Sequence, residues 1–390
     1  MAADFVLRLS APVMSGGSDR PLVELGLSAG ATDIRYAWDK AGPAGMTLGT
    51  SVPGRAPVVG PLPEPIDAPL RAHAELWQGS TIVWEGFVRS REHGRGGSVI
   101  GLSLVGYSQS LSDNWLRASS PPPMTDVPLT IGAVLAVAIN ELAPWLRPGV
   151  VGEQWTDPGI VHPTGREQFA RMTPAQIIDQ ARQQGDSRGR EVWVMCMPDR
   201  RVWVFPSVAP GEPRYRVAFD GRVQRWTESD EGMASTVTVE YGTGSSGTLS
   251  DTAVNATFQS ARGFSPEVVL SVGNVGADAA VALRNMELAR RATPRVSATL
   301  GASADSATWL ADRHGVPVPY WLPRPGEWVG VAGEALLPIV GVSVDASGGT
   351  ATYELGEPDP WLPKNMNVLA RDTVARYRAM IAARGGRVRS

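Results

Sequence analysis

The stretch from Ala74 to Tyr107 constrains the fold more than any other part of this chain. Ala74-Glu75-Leu76-Trp77 and Thr81-Ile82-Val83-Trp84-Glu85-Gly86-Phe87-Val88-Arg89 flank Gln78-Gly79-Ser80. A polar gap from Ser90 to Gly97 leads into Ser98-Val99-Ile100-Gly101-Leu102-Ser103-Leu104-Val105-Gly106-Tyr107. β-Branched and aromatic residues fill the three runs, and glycine sits where the chain must reverse. That pattern predicts a three-stranded β meander.

The flanking sequence extends the reading. Phe5 to Leu9 is an extended segment that Leu22 to Leu27 can pair with, and Ile34 to Trp38 alternates as a strand does. Met46 to Pro69 carries Pro53, Pro57, Pro61, Pro63, Pro65 and Pro69, so a stiff extended connector or sheet-edge segment is expected. Pro121-Pro122-Pro123 marks a boundary. Beyond it Thr130 can cap a helix running to Leu142, with Pro144 as its stop. Thr173-Pro174-Ala175-Gln176 is a capping box with proline at the first helical position; Ile177, Ile178 and Ala181 form one apolar face, and Gly185 ends the helix. Glu191 to Met197 and Arg201 to Phe205, joined by Pro198-Asp199-Arg200, read as a hairpin.

A third block is again rich in strands: Arg216–Asp220, Val223–Thr227, Ser235–Tyr241, Val296–Leu300, Val316–Trp321, Trp328–Val331, Leu337–Val344 and Thr350–Leu355, with a helix from Ala277 to Arg291. In the tail, Ala370, Thr373, Val374, Tyr377, Met380 and Ile381 share one helical face. Arginines and one lysine outnumber Asp372 there, which suits either docking on an acidic partner or folding back on the chain's own domain.

Composition narrows the function classes. With 43 % hydrophobic and 19 % charged residues in 390, a folded protein of two or three domains is expected. The formal net charge of -3 gives no reason to expect specific nucleic-acid binding. Lys40 and Lys364 are the only lysines, an arginine bias that a GC-rich coding sequence explains. One cysteine, Cys196, excludes an internal disulfide and a closed cysteine metal site. The first residues lack the pattern of a secretory signal, and the longest apolar run, Ile131 to Ile139, is too short to cross a bilayer, so synthesis as a soluble protein in a cytoplasm is expected.

No residue set earns a catalytic, cofactor or metal role from spacing. His73, His93, His162 and His314 have no second ligand at helical or turn spacing. Gly-x-Ser-x-Gly is missing. Gly242-Thr243-Gly244-Ser245-Ser246-Gly247 matches Gly-x-Gly-x-x-Gly, but the polar segment Thr248 to Thr257 has no helical apolar face, so a hairpin loop is expected rather than a pyrophosphate cradle. The acid pairs Glu153 with Asp157 and Asp230 with Glu231 read as solvated loops. Trp77, Trp84, Trp193 and Trp203 read as strand packing rather than a sugar platform.

The order of these pieces resembles the tail-tip or baseplate hub proteins of long-tailed bacteriophages and related phage-like particles. The resemblance spans about Ala74 to Leu355: the Trp77–Trp84 β module, the Pro174 helix with the Trp193 hairpin, the helix Ala279 to Ala292, and the module with Pro325-Gly326-Glu327-Trp328-Val329. It implies a mainly β fold with α/β insertions. Two β-barrel-like tube modules (1–122 and 214–358) would flank an α/β unit (123–213), with a basic C-terminal helix (359–390). It implies further a virion protein of the viral tail, a homotrimer whose six modules form a ring at the tip. Its partners would be tail tube, distal tail, tape-measure and receptor-binding or fibre proteins, with DNA passing through the channel at genome ejection. No appended peptidase or lysozyme-like domain is seen, so no enzyme activity and no cofactor are expected. The alternatives are a distal tail adaptor ring, a tail-associated cell-wall hydrolase and a glycan-binding receptor protein.

Overall fold

The computed structural model describes residues 5–10, 21–27, 33–49, 72–93, 99–112, 129–143, 145–150, 161–162, 172–185, 190, 192–198, 200–207, 212–217, 223–230, 232–242, 248–263, 265–272, 276–292, 294–304, 310–312, 314–331 and 335–356. Of the connector or sheet-edge segment expected from Met46 to Pro69, Met46–Gly49 instead lies in a strand with a neighbour on each side, and the rest, like the Pro121–Pro123 boundary and the basic tail helix, lies outside the described residues.

The fold is mainly β. The first block contributes β1 (Phe5–Ser10), β2 (Pro21–Leu27), β3 (Asp33–Asp39), β4 (Gly42–Gly49), β5 (His73–Gln78), β6 (Thr81–His93) and β7 (Val99–Gly106), followed by the single turn α1 (Tyr107–Ser110). They lie side by side as β3-β4-β7-β6-β5-β1-β2, so the meander forms as expected and β2 pairs with β1. Alternation drives this arrangement. Phe5, Leu7 and Leu9 of β1, with Ala74 and Leu76 of β5, point into one core, and Trp84 is fully enclosed there.

Two features of the first block differ from the sequence expectation. β6 runs through His93 where a polar gap begins at Ser90; its outer end pairs with β7 as far as His93 opposite Val99, with irregularities at Val88/Ser90 and Glu92/His93. Ladder hydrogen bonds to β7 carry the strand through this polar sequence. The other is β4, whose Gly-Pro-Ala-Gly composition has poor strand propensity. It forms because both its edges are occupied, by β3 and β7. Its pairing with β7 starts at Gly45, so Pro43 lacks an N–H only where that ladder does not need one.

The α/β unit contains β8 (Leu129–Thr130), α2 (Ile131–Leu142), β9 (Arg147–Pro148), β10 (Val161–His162), α3 (Pro174–Gln184), β11 (Val192–Met197) and β12 (Arg201–Pro206). Its start signals work as expected: Thr130 Oγ1 accepts from Ala133 N, and Thr173 with Gln176 closes a reciprocal capping box. β11 is buried from Val192 to Cys196 because it serves two cores. Val192, Val194 and Cys196 meet the helices, and Trp193 and Met195 meet the main core.

The third block holds β13 (Tyr215–Val217), β14 (Val223–Ser229), β15 (Thr236–Gly242), β16 (Thr248–Val254), α4 (Ala256–Arg262), β17 (Glu267–Ser271), α5 (Ala277–Arg290), β18 (Arg295–Ser303), β19 (Ala311–Asp312), β20 (Trp328–Val331), β21 (Ala335–Asp345) and β22 (Thr350–Gly356). β16-β15-β17 is a separate sheet covered on one face by α5; Arg284 reaches Asp251 at 2.6 Å across that seam. β14-β18-β22-β21 continues directly into β3, so one 14-stranded sheet runs through the first and third blocks. Among the described residues, Val316–Trp321, expected as extended, pairs only through the isolated bridge Ala311–Pro317.

Gly42 shows how tightly the hairpin docks. Its φ is +115°, and an added Cβ would sit 2.1 Å from the Cys196 carbonyl oxygen. Gly42→Ala therefore combines backbone strain of about 2 kcal/mol with a main-chain clash. Gly45→Ala, which has nothing within 4 Å, should change stability by less than about 0.5 kcal/mol. Chemical denaturation of the two variants checks the contrast.

Candidate functional site

Two polar clusters mark the seams between these parts. The first lies where the β5–β6 sheet meets the α/β unit. Period two places His73, Glu75 and Trp77 on one face of β5, and the register sets Glu85 of β6 opposite Glu75. His73 Nε2 is 2.9 Å from Glu75 Oε1 and 3.3 Å from Glu85 Oε1. The Tyr107 hydroxyl contacts His73 Nδ1 and also lies 3.3 Å from Glu85 Oε1. Trp77 Nε1 donates to Glu75 Oε2 at 2.8 Å. Arg200, in the hairpin turn at φ 58°, brings its guanidinium to 3.8 Å from Glu85. Phe87 and Trp145, with ring centroids 5.9 Å apart, seal the apolar side.

Glu85 is 1 % exposed and His73 5 %, whereas Glu75 is 20 % exposed and forms the outer edge of the cluster. Burial alone raises the Glu75 pKa, but hydrogen bonds from His73 and Trp77 outweigh it and hold the carboxyl below its usual range. The arrangement offers one imidazole and two carboxylates with converging atoms, a set able to share a proton or hold a cation. Among the described residues these three are the one group of three such side chains close enough to do so.

The second cluster joins the first and third blocks. Arg324 donates to the Ile82 carbonyl at 2.8 Å, and its guanidinium lies 5.1 Å from the Trp38 ring centroid. Its own N–H donates to Glu327 Oε2, which also accepts from the Tyr215 hydroxyl at 2.8 Å. Arg214 pairs with the other oxygen of Glu327 at 2.6 Å. Trp38 Nε1 donates to the Val83 carbonyl. Burial, then the Glu327 charge, pushes the Tyr215 hydroxyl's pKa up, keeping it a donor. Beside this cluster runs an open groove of about 790 Å³, edged by Glu212, Arg214, Tyr215, His314, Val316 and Trp328.

His73 lies in the first cluster; His314 is exposed in a turn where its N–H donates to Asp312. His93 and His162 lie on β6 and β10, and their side chains are outside the described set. Trp84 and Trp193 are core residues; Trp77 is half-buried beneath the Arg8 guanidinium at 4.5 Å, and Trp203 is half-buried on β12. Gly242 ends β15 and Thr248 opens its antiparallel partner β16, so a strand follows the glycine motif where a dinucleotide site needs a helix. Glu153, Asp157 and Glu231 lie outside the described residues, while Asp230 is exposed. Sequence reasoning missed Glu85, Tyr107, Arg200 and Arg324. The available signal was His73-x-Glu75, two polar residues in phase on an otherwise apolar strand.

No protein-family profile matches the sequence, and no curated protein matches it significantly. Solved structures do. A tail protein from Neisseria meningitidis MC58 superposes with a TM-score of 0.54 at 16 % identity, covering 93 % of this chain and 98 % of that one. The 43 kDa tail protein of prophage MuSo2 from Shewanella oneidensis gives 0.55 at 15 %, covering 90 % and 98 %. A prophage tail protein from Listeria monocytogenes EGD-e gives 0.56 at 11 %, covering 95 % and 99 %. At these identities the likeness is one of fold: this chain has the architecture of phage tail proteins along nearly its whole described length.

Removing the central cation of the second seam leaves Glu327 and the Ile82 carbonyl without it. Arg324→Ala should cost about 3 kcal/mol, and Arg324→Lys should recover only part, because an ammonium cannot both fork and stack. Urea denaturation measures both. Cys196 gives a second check. Burial pushes its thiol up to about 12, so it should resist alkylation at about pH 8 in the native protein and react fully in guanidinium.

Proposed function

We propose that this chain is a structural hub of a phage-type tail tip. In that role it closes or continues the tail tube as a ring and anchors other tail-tip proteins during host attachment and DNA delivery. The observation that carries the reading is the two-way coverage: the chain and the three tail proteins match over nearly all of each, with no domain of theirs left over. The internal build supports it. Two β-rich blocks fused in one sheet give each chain two arcs, so three chains supply six, matching the sixfold symmetry of a tail tube. Closed rings need heterologous contacts between edges and outer faces. The first block ends in β2 and the third in β14, the two edges of the shared sheet.

On this reading the chain works by shape and rigidity rather than chemistry. The partners are tail-tube, distal tail, tape-measure and receptor-binding or fibre proteins, and the location is the virion's tail tip. DNA would pass without sequence-specific contact.

Electron microscopy of the purified chain, alone and with its neighbouring tail proteins, tests this. A threefold ring with a central channel is expected. A sixfold ring would instead make it the distal adaptor. A stable monomer that joins no tail protein would overturn the reading. Peptidoglycan release by the pure protein would replace it with a hydrolase.

A further inference from the structure

We propose that His73, Glu75 and Glu85 form a binding site for one first-row divalent cation, with zinc the favoured occupant. The inference rests on the cluster's own geometry and is independent of the tail role.

The sheet supplies the geometry. His73 and Glu75 are two residues apart on β5, and Glu85 is the cross-strand partner of Glu75, so three backbone positions are fixed by a hydrogen-bonded ladder. Their ligand atoms already converge: Nε2 lies 2.9 Å and 3.3 Å from the two Oε1 atoms, and all lie within 4.8 Å of one another. Tetrahedral zinc with bonds of about 2.0–2.1 Å spaces its ligand atoms by about 3.3 Å, so the site needs only small side-chain adjustments.

The proton inventory favours a cation. Nε2 faces two carboxylate oxygens at once. A single N–H there serves two acceptors, and an Nε2 lone pair there would face two anions. A dication in place of that proton balances two carboxylates and accepts the imidazole lone pair. Nδ1–H then donates to the Tyr107 hydroxyl, whose own proton points to Glu85. Trp77 holds the far oxygen of Glu75. These are the outer contacts by which metal sites orient their ligands. Arg200 stands 3.8 Å from Glu85, with a side chain 34 % exposed. One imidazole nitrogen with two carboxylate oxygens suits zinc or manganese, whereas calcium and magnesium prefer all-oxygen shells. Entry is from the Glu75 side.

The test uses the full chain purified without chelator or affinity metal. Metal content by mass spectrometry should show close to one equivalent of zinc. After EDTA and dialysis, zinc chloride should bind one-to-one by calorimetry and raise Tm by several degrees, reversibly, since only the folded chain assembles the ligands. Calcium should do neither. Glu85→Gln should abolish the binding; Glu75→Gln, on the exposed edge, keeps the test open where Glu85→Gln fails to fold. Trp77→Phe, a positioning change, should weaken affinity about tenfold or more while leaving the fold intact. No bound zinc and no Tm response would overturn the proposal. Binding unchanged in Glu75→Gln, or an equal response to calcium, would overturn it as well.

Discussion

The rest of the structure depends on the pairing of β3 with β21. Val342 to Asp345 lie opposite Trp38 to Arg35, and the junction is closed at one end by Ala346 N to Ile34 O and Ile34 N to Ser347 Oγ, partners 313 residues apart. Without it the first block would end at β3 with a bare edge, and the third would end at β21. With it, the two blocks share one sheet and one core, from Phe5 to Leu355. Loop closure of this length costs only logarithmically more than a short one, so stability is little taxed by it. Folding rate is another matter: strands made first must wait for strands made last.

Around that joint the seams are locked by polar contacts in apolar surroundings. Arg324 ties the turn before β20 to the first block through the Ile82 carbonyl and the Trp38 ring. Arg182, buried on α3, donates to Lys40 O and Val194 O and so fastens the β3–β4 turn to β11. Cys196 N donates to Ala41 O at the same turn. Each such bond is directional, and each leaves a buried group unsatisfied when the parts slide.

Much of this was legible in the sequence, for local reasons. The meander around Trp77 and Trp84, the Thr130 and Thr173 caps and the Pro198-Asp199-Arg200 turn follow from period, capping and turn chemistry within a dozen residues. β4 was not legible, because Gly42-Pro43-Ala44-Gly45 becomes a strand only between two neighbours. The strand at Ser235–Tyr241 and the helix from Ala277 were legible, but β16, α4 and β17 were not, because β17 joins β15 in parallel only after a helix. The polar clusters were least legible. His73 and Glu75 are in phase on β5, but Glu85, Tyr107 and Arg200 join them only through register and docking. The resemblance to tail proteins rested on the order of elements, and order is what a shared fold preserves when identity has fallen this low.

The first and third blocks form one cooperative body joined through β3 and β21. Native-state hydrogen exchange across increasing denaturant tests it directly. The account predicts that amides of β3, β21, β5 and β22 exchange with one common free energy, that of global unfolding. Separate exchange of the first block at markedly lower denaturant, with β18, β21 and β22 still protected, would contradict it.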